Sequence, residues 1–130
     1  MSVFDLESEA GSDRLPPQDI AAEASVLGAM LLSRDAIGDA VEVVKATHFY
    51  RPTHATIFQT IVDLYTRDEP ADAVTVAAAL TRQGELAKIG GAAYLHTLVS
   101  GVPTAANADY YARLVRDTAV LRRLVEAGTR

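Results

Sequence analysis

Apolar residues recur at the spacing of an α-helix along most of the chain. From Asp19 they fall at i, i+4, i+7 and i+11 on one helical face, as Ile20, Ala24, Leu27 and Leu31. Gly28 interrupts this stripe and predicts that a neighbouring backbone approaches closely. Ser33 is expected to cap a second helix, in which the pattern repeats at Ile37, Val41 and Val44.

Three more helices are predicted, each with its own start and stop signals. Pro52 fits the first position of a third helix, and its apolar stripe runs from Ile57 to Tyr65. Asp72 or Thr75 can cap a fourth helix that stops at Gly84, and a fifth ends at Gly101. The residues expected to be buried in these last two helices are Val76, Ala77, Leu80, Tyr94, Leu95 and Leu98.

A long final helix is predicted from about 106 to 130, and its apolar stripe is wider than a small head can cover. Part of the stripe is therefore expected to face another chain. The candidate oligomer-interface residues are Tyr110, Tyr111, Leu114, Val115, Leu121, Leu124 and Val125. Of the two adjacent tyrosines, one is expected at the interface and the other in the chain's own core.

These patterns predict an all-α fold without strands. Residues 1–17 are interpreted as a flexible acidic tail, 18–103 as a helical bundle head and 104–130 as the long final helix.

Hydrophobic residues make up 49% of the chain, which is enough for a real core, and the absence of cysteine excludes disulfides and thiol catalysis. No apolar run approaches the roughly 20 residues of a membrane span, so a cytoplasmic protein is expected.

The charge pattern argues against tight nucleic-acid binding by the whole chain, because the net charge is −5. The final helix nevertheless carries five arginines, which can form a solvated face or contact DNA: Arg113, Arg116, Arg122, Arg123 and Arg130.

No catalytic, cofactor or metal site is predicted. The phosphate-loop pattern G-x-x-x-x-G-K-[ST] is absent, since no glycine is followed by lysine. His48, His54 and His96 lack zinc-site spacing and are interpreted as structural or surface residues. For His54, a hydrogen bond to the turn at Phe49 and Tyr50 is expected.

An ordered set of motifs gives a more specific indication. Pro16-Pro17 precedes Glu23-Ala24-Ser25-Val26-Leu27-Gly28, and then come Phe49-Tyr50-Arg51-Pro52-Thr53-His54, Gly90-Gly91 and Val102-Pro103-Thr104-Ala105-Ala106-Asn107. In this order they resemble the N-terminal domain of bacterial DnaB-type replicative helicases, from about Pro16 onward.

The resemblance implies a helical head followed by a helical hairpin, of which residues 104–130 form the first long arm. It further implies self-association through the hairpins into a dimer, a hexameric trimer of dimers in the parent helicase, and docking of primase. The second arm, the linker and the RecA-like motor are then absent from this chain. ATP, Mg²⁺ and single-stranded DNA are expected to bind through that motor alone.

Two other functions are compatible with the residues alone. One is a self-contained helical dimer that acts as an adaptor or regulator. The other is a small hydrolase that uses His48, His54 and a carboxylate, for which stoichiometric zinc or manganese would be the evidence.

Overall fold

The computed structural model describes residues 15–128, and these form six α-helices without a strand. The helices are α1 (Ile20–Leu32), α2 (Arg34–Val41), α3 (Pro52–Thr66), α4 (Ala73–Arg82), α5 (Gly91–Ser100) and α6 (Ala108–Gly128). Short 3₁₀ turns at Ala46–His48 and Ala87–Ile89 link them. The all-α prediction is confirmed, whereas most of the predicted acidic tail, residues 1–14, lies outside the described residues.

The helix ends follow the expected side-chain signals. Ser33 accepts a hydrogen bond from the Ala36 amide at the start of α2, and Pro52 is the first residue of α3. At the start of α4, the Asp72 side chain accepts from the Thr75 amide while the Thr75 hydroxyl accepts from the Asp72 amide. Both candidate capping residues are therefore used, in one reciprocal capping box.

Helix α1 lies at the centre of the bundle, and α2, α3, α5 and α6 pack around it. Six consecutive residues, 26–31, are buried, so this part of the helix is enclosed on all sides instead of burying one face only. Ala24, a member of the predicted stripe, is only partly buried. In α4 the inward alanine is Ala79, while Ala77 is partly buried.

Gly28 lies at a close contact between α1 and α5. A Cβ atom at this position would meet the backbone oxygen of Leu98 and the side chain of Val102. The predicted close backbone approach is thus confirmed, and it fixes the C-terminal end of α5 against the middle of α1.

Candidate interaction surface and buried polar network

Helix α6 buries one face against α1 and α2. That face consists of small residues at i, i+4, i+7 and i+11, namely Ala108, Ala112, Val115 and Ala119. Ala112 and Val115 belong to the main core of the head, so the predicted boundary between 103 and 104 does not coincide with a boundary in the packing. Within the described part of the helix, Ala119 is its last buried residue.

The other side of α6 is open to solvent and carries large apolar side chains, interrupted by the charged residues Arg113 and Asp117. Five large side chains form this exposed face: Tyr110 (54% exposed), Val120 (46%), Leu121 (51%), Leu124 (65%) and Val125 (43%). At about 100° per residue they fall within an arc of about 140°. Four of them lie beyond Ala119, the last buried residue of the described part of the helix. We call these five residues the exposed α6 face.

The structure divides the seven predicted interface residues. Tyr110, Leu121, Leu124 and Val125 are exposed, and Tyr111 and Leu114 are partly buried against the core. The predicted placement of Val115 is wrong, because only 2% of it is exposed and it packs inside the head. The sequence pattern misses Val120, because it is aligned on Tyr111 and Leu114 and not on the alanines that actually face inward.

The arginines of α6 make local contacts. Arg113 pairs with Asp109 at 3.0 Å, and Arg116 bonds Asp117 at 3.2 Å. The Arg113 side chain also lowers the pKa of the Asp109 carboxyl by its hydrogen bond. Arg122 points towards the head, donates to the carbonyls of Pro17 (2.9 Å) and His48 (3.0 Å), and stacks on the Tyr50 ring. It therefore ties the far half of α6 to the segments that precede α1 and α3.

A buried polar network joins three helices inside the head. Nδ1 of His54 on α3 lies 2.7 Å from Glu23 Oε1 on α1, and its Nε2 lies 2.5 Å from the hydroxyl of Tyr94 on α5. His54 and Glu23 are 0% and 2% exposed. A neutral imidazole that donates from Nδ1 to Glu23 and accepts the Tyr94 proton at Nε2 gives both of its ring nitrogens and the Tyr94 hydroxyl a hydrogen-bond partner.

Glu23 also organises the turn that leads into α3. Its carboxyl group accepts hydrogen bonds from the amides of Tyr50 (2.6 Å) and Arg51 (3.4 Å). These amides precede α3, so Glu23 holds the start of that helix against α1. The expected hydrogen bond from His54 to this turn is thus incorrect, since Glu23 mediates the contact. A lone Glu among apolar residues of α1 is the signal in the sequence that points to this role.

The remaining titratable residues are dispersed. His48 Nδ1 accepts from the Lys45 amide, and its pKa is lowered first by burial and then by the charges of Arg123, Lys45, Arg116 and Arg122. His96 is exposed, as are Asp35 and Asp39. Across residues 15–128, no group of three or more His, Cys, Asp or Glu side chains is arranged to hold a metal ion.

None of the helices between residues 15 and 128 is both long enough and apolar enough to span a membrane.

Comparison with known proteins places these features in context. Residues 15–117 match the family model of the DnaB-like helicase N-terminal domain. The chain is 59% identical along its whole length to a replicative DNA helicase DnaB of Mycobacterium leprae, and 47% identical over 94% of its length to that of Geobacillus stearothermophilus. It covers 23% and 27% of those two proteins, so it spans about a quarter of their length.

A solved structure has the same fold. The crystal structure of the N-terminal domain of DnaB helicase from Mycobacterium tuberculosis superimposes with a TM-score of 0.87 at 65% sequence identity. The match covers 88% of this chain and 83% of that one.

Proposed function

The chain belongs to the family of DnaB-like helicase N-terminal domains, and on this premise we propose that it is the assembly and partner-docking part of a replicative DNA helicase. In this proposal the chain performs no chemistry itself. Hydrolysis of ATP with Mg²⁺ and translocation on single-stranded DNA belong to a motor elsewhere in the parent protein. The parent works in the cytoplasm.

The observation that carries the proposal is the exposed α6 face. Five large apolar side chains lie on one side of one helix, and four of them fall between residues 120 and 125. A contiguous exposed apolar patch on a soluble domain usually marks an interaction site. A second copy of the same chain is the proposed occupant, and its own α6 supplies a complementary apolar stripe.

The spacing of this face suits pairing between helices. Tyr110, Leu121 and Leu124, with the half-buried Leu114, follow alternating steps of three and four residues, which is the spacing of a coiled-coil seam. Asp117 occupies the intervening position, is 68% exposed at its side chain and bonds Arg116. Its carboxylate therefore lies within the proposed seam, and pairing has to keep it bonded to Arg116 or to water.

Sedimentation of the purified chain tests the proposal. Complete burial of a leucine is worth about 2 kcal/mol, so burial of the exposed half of Leu121 is worth about 1 kcal/mol, and a symmetric pair contains it twice. Leu121→Asp loses this gain and places a carboxylate in the interface, so it should weaken self-association by at least about 2 kcal/mol, or roughly thirtyfold. Val74→Asp is the matched control, because Val74 is 74% exposed on α4 and lies outside the exposed α6 face.

A dimer that dissociates in Leu121→Asp but not in Val74→Asp supports the proposal. A wild-type chain that remains monomeric at high concentration contradicts it.

Docking of primase is the second element of the proposed function, and it rests on family membership. It is tested by an isothermal calorimetric titration of the chain with the C-terminal region of the cognate primase. Saturable binding that survives Leu121→Asp would separate the docking surface from the self-association surface. Absence of any binding would leave a self-contained helical dimer as the better description.

A further inference from the structure

A cluster of positive charge lies where the turn at Ala46–His48 meets α6. Four cations act on His48 there, namely Lys45, Arg116, Arg122 and Arg123. The protein as a whole has a net charge of −5, so a local concentration of cations departs from its average surface. We call these four residues with His48 the basic cluster.

The contacts of Arg122 show why the positive charge persists. Its guanidinium donates to the carbonyls of Pro17 and His48, and it also lies over the Tyr50 ring, 5.3 Å from its centroid. Carbonyls and a ring orient a guanidinium without neutralising it. Two carboxylates do lie close by: Asp117 bonds Arg116, and Glu126 lines the same depression as Arg122 and Arg123. The four cations still exceed these two acids by two charges.

A shallow depression of about 280 Å³ adjoins the basic cluster. Its lining includes Thr47, Tyr50, Arg122 and Arg123. A hydroxyl group and guanidinium groups are the donors that commonly bind phosphate oxygens. The lowered pKa of His48 keeps its imidazole neutral near pH 7, so its Nε2–H is a hydrogen-bond donor that repels no neighbouring cation.

The shape of the basic cluster favours an extended ligand. Arg116 and Arg123 are seven residues apart on one helix, which corresponds to about 10 Å along its axis. A single phosphate does not span that length, whereas a chain with regularly repeated phosphates does. We propose that the basic cluster binds the phosphodiester backbone of a single-stranded nucleic acid, as a contact of this domain separate from the motor of the parent protein.

The electrostatics set the strength of this contact. One phosphate is assigned to each of three cations, Lys45, Arg116 and Arg123, and the negative net charge of the chain opposes association. For single strands, a plot of the logarithm of the affinity against the logarithm of the salt concentration has a slope of about −0.7 for each phosphate bound. Three contacts therefore give a slope of about −2. The binding is thus weak at physiological ionic strength and measurable at low salt.

The experiment uses the full chain, since the negative charges of Asp5, Glu7, Glu9 and Asp13 oppose the binding of an anion and belong in the measured affinity. A fluorescent oligothymidylate is titrated at several salt concentrations, and the His48 ring resonances are followed by NMR. We expect Arg123→Gln to weaken binding roughly threefold to tenfold at low salt and to reduce the slope to about −1.4. Arg113→Gln is the matched control, because Arg113 lies on the same helix but is not among the cations that act on His48.

Three results would overturn the proposal. One is the absence of binding at low salt. Another is equal weakening by Arg113→Gln and Arg123→Gln, which would show only diffuse attraction. The third is an equal shift of the His48 resonances by inorganic phosphate at the same phosphate concentration, which would indicate a site for a free anion. The proposal does not rest on self-association, so the uncharged variant Leu121→Asn should leave the affinity unchanged.

Discussion

Replacement of Glu23 tests how the buried polar network holds the head together. In Glu23→Ala the imidazole of His54 and the amide of Tyr50 lose their acceptor, and so does the amide of Arg51, an exposed residue at which water can take the place of the carboxylate. Each buried donor left without a partner costs about 1–3 kcal/mol. Loss of packing adds to this, so we expect the free energy of unfolding to fall by about 3–5 kcal/mol.

Glu23→Gln separates hydrogen bonding from charge. The amide oxygen can still accept from Tyr50, and the NH₂ group can donate to His54 Nδ1 once the imidazole proton moves to Nε2. The Tyr94 oxygen then accepts from Nε2, and the network stays connected. Since only charge assistance is lost, we expect a decrease of about 1–2 kcal/mol.

Urea unfolding followed by circular dichroism measures both variants. Glu42→Gln is the matched control, because Glu42 is exposed at the end of α2, and we expect a change within about 0.5 kcal/mol. The reasoning is refuted if Glu23→Ala costs less than about 1 kcal/mol, or if Glu23→Gln costs as much as Glu23→Ala.

Three further outcomes are expected. Gly28→Ala should destabilise the protein by about 1–2 kcal/mol in thermal unfolding, because the clash with the Leu98 backbone exceeds the gain of about 1 kcal/mol in helix propensity. Gly38→Ala is the matched control: its new methyl group meets only the Tyr65 hydroxyl at 3.1 Å, so this variant should be neutral or stabilising. Asp72→Ala should cost about 1 kcal/mol in the same assay, because the Val74 and Thr75 amides lose their cap. The pKa of His48 is lowered from 6.5 in the folded protein, so the unfolded chain binds the proton more readily and stability should fall as the pH drops below about 6.5. The urea midpoint measured at several pH values should show this fall, and His48→Gln should abolish it.

Local signals in the sequence predicted the helices well. Pro52, Ser33 and the pair Asp72 and Thr75 act within one turn, so their roles can be read without knowledge of the tertiary fold. Gly28 was also informative, since a glycine inside an apolar helix lowers helix propensity and is favoured there mainly where another backbone packs closely.

The packing of α6 could not be read in the same way. Its inward face consists largely of alanines, and a hydrophobicity pattern gives alanine less weight than the leucines and tyrosines on the opposite side. The sequence therefore indicated that the helix has surplus apolar surface but assigned Val115 to the wrong side. The network of Glu23, His54 and Tyr94 was missed because its members lie 31 and 40 residues apart and meet only in three dimensions.

Pairing through the exposed α6 face is the central claim, and a distance measurement between two copies tests it most directly. The chain contains no cysteine, so Ala127→Cys, on α6 but outside the exposed α6 face, and Val74→Cys each introduce a single site for a spin label. For a label at position 127 we predict a short distance between copies, and for a label at position 74 a long one. Equal or absent dipolar coupling at the two positions would contradict the claim.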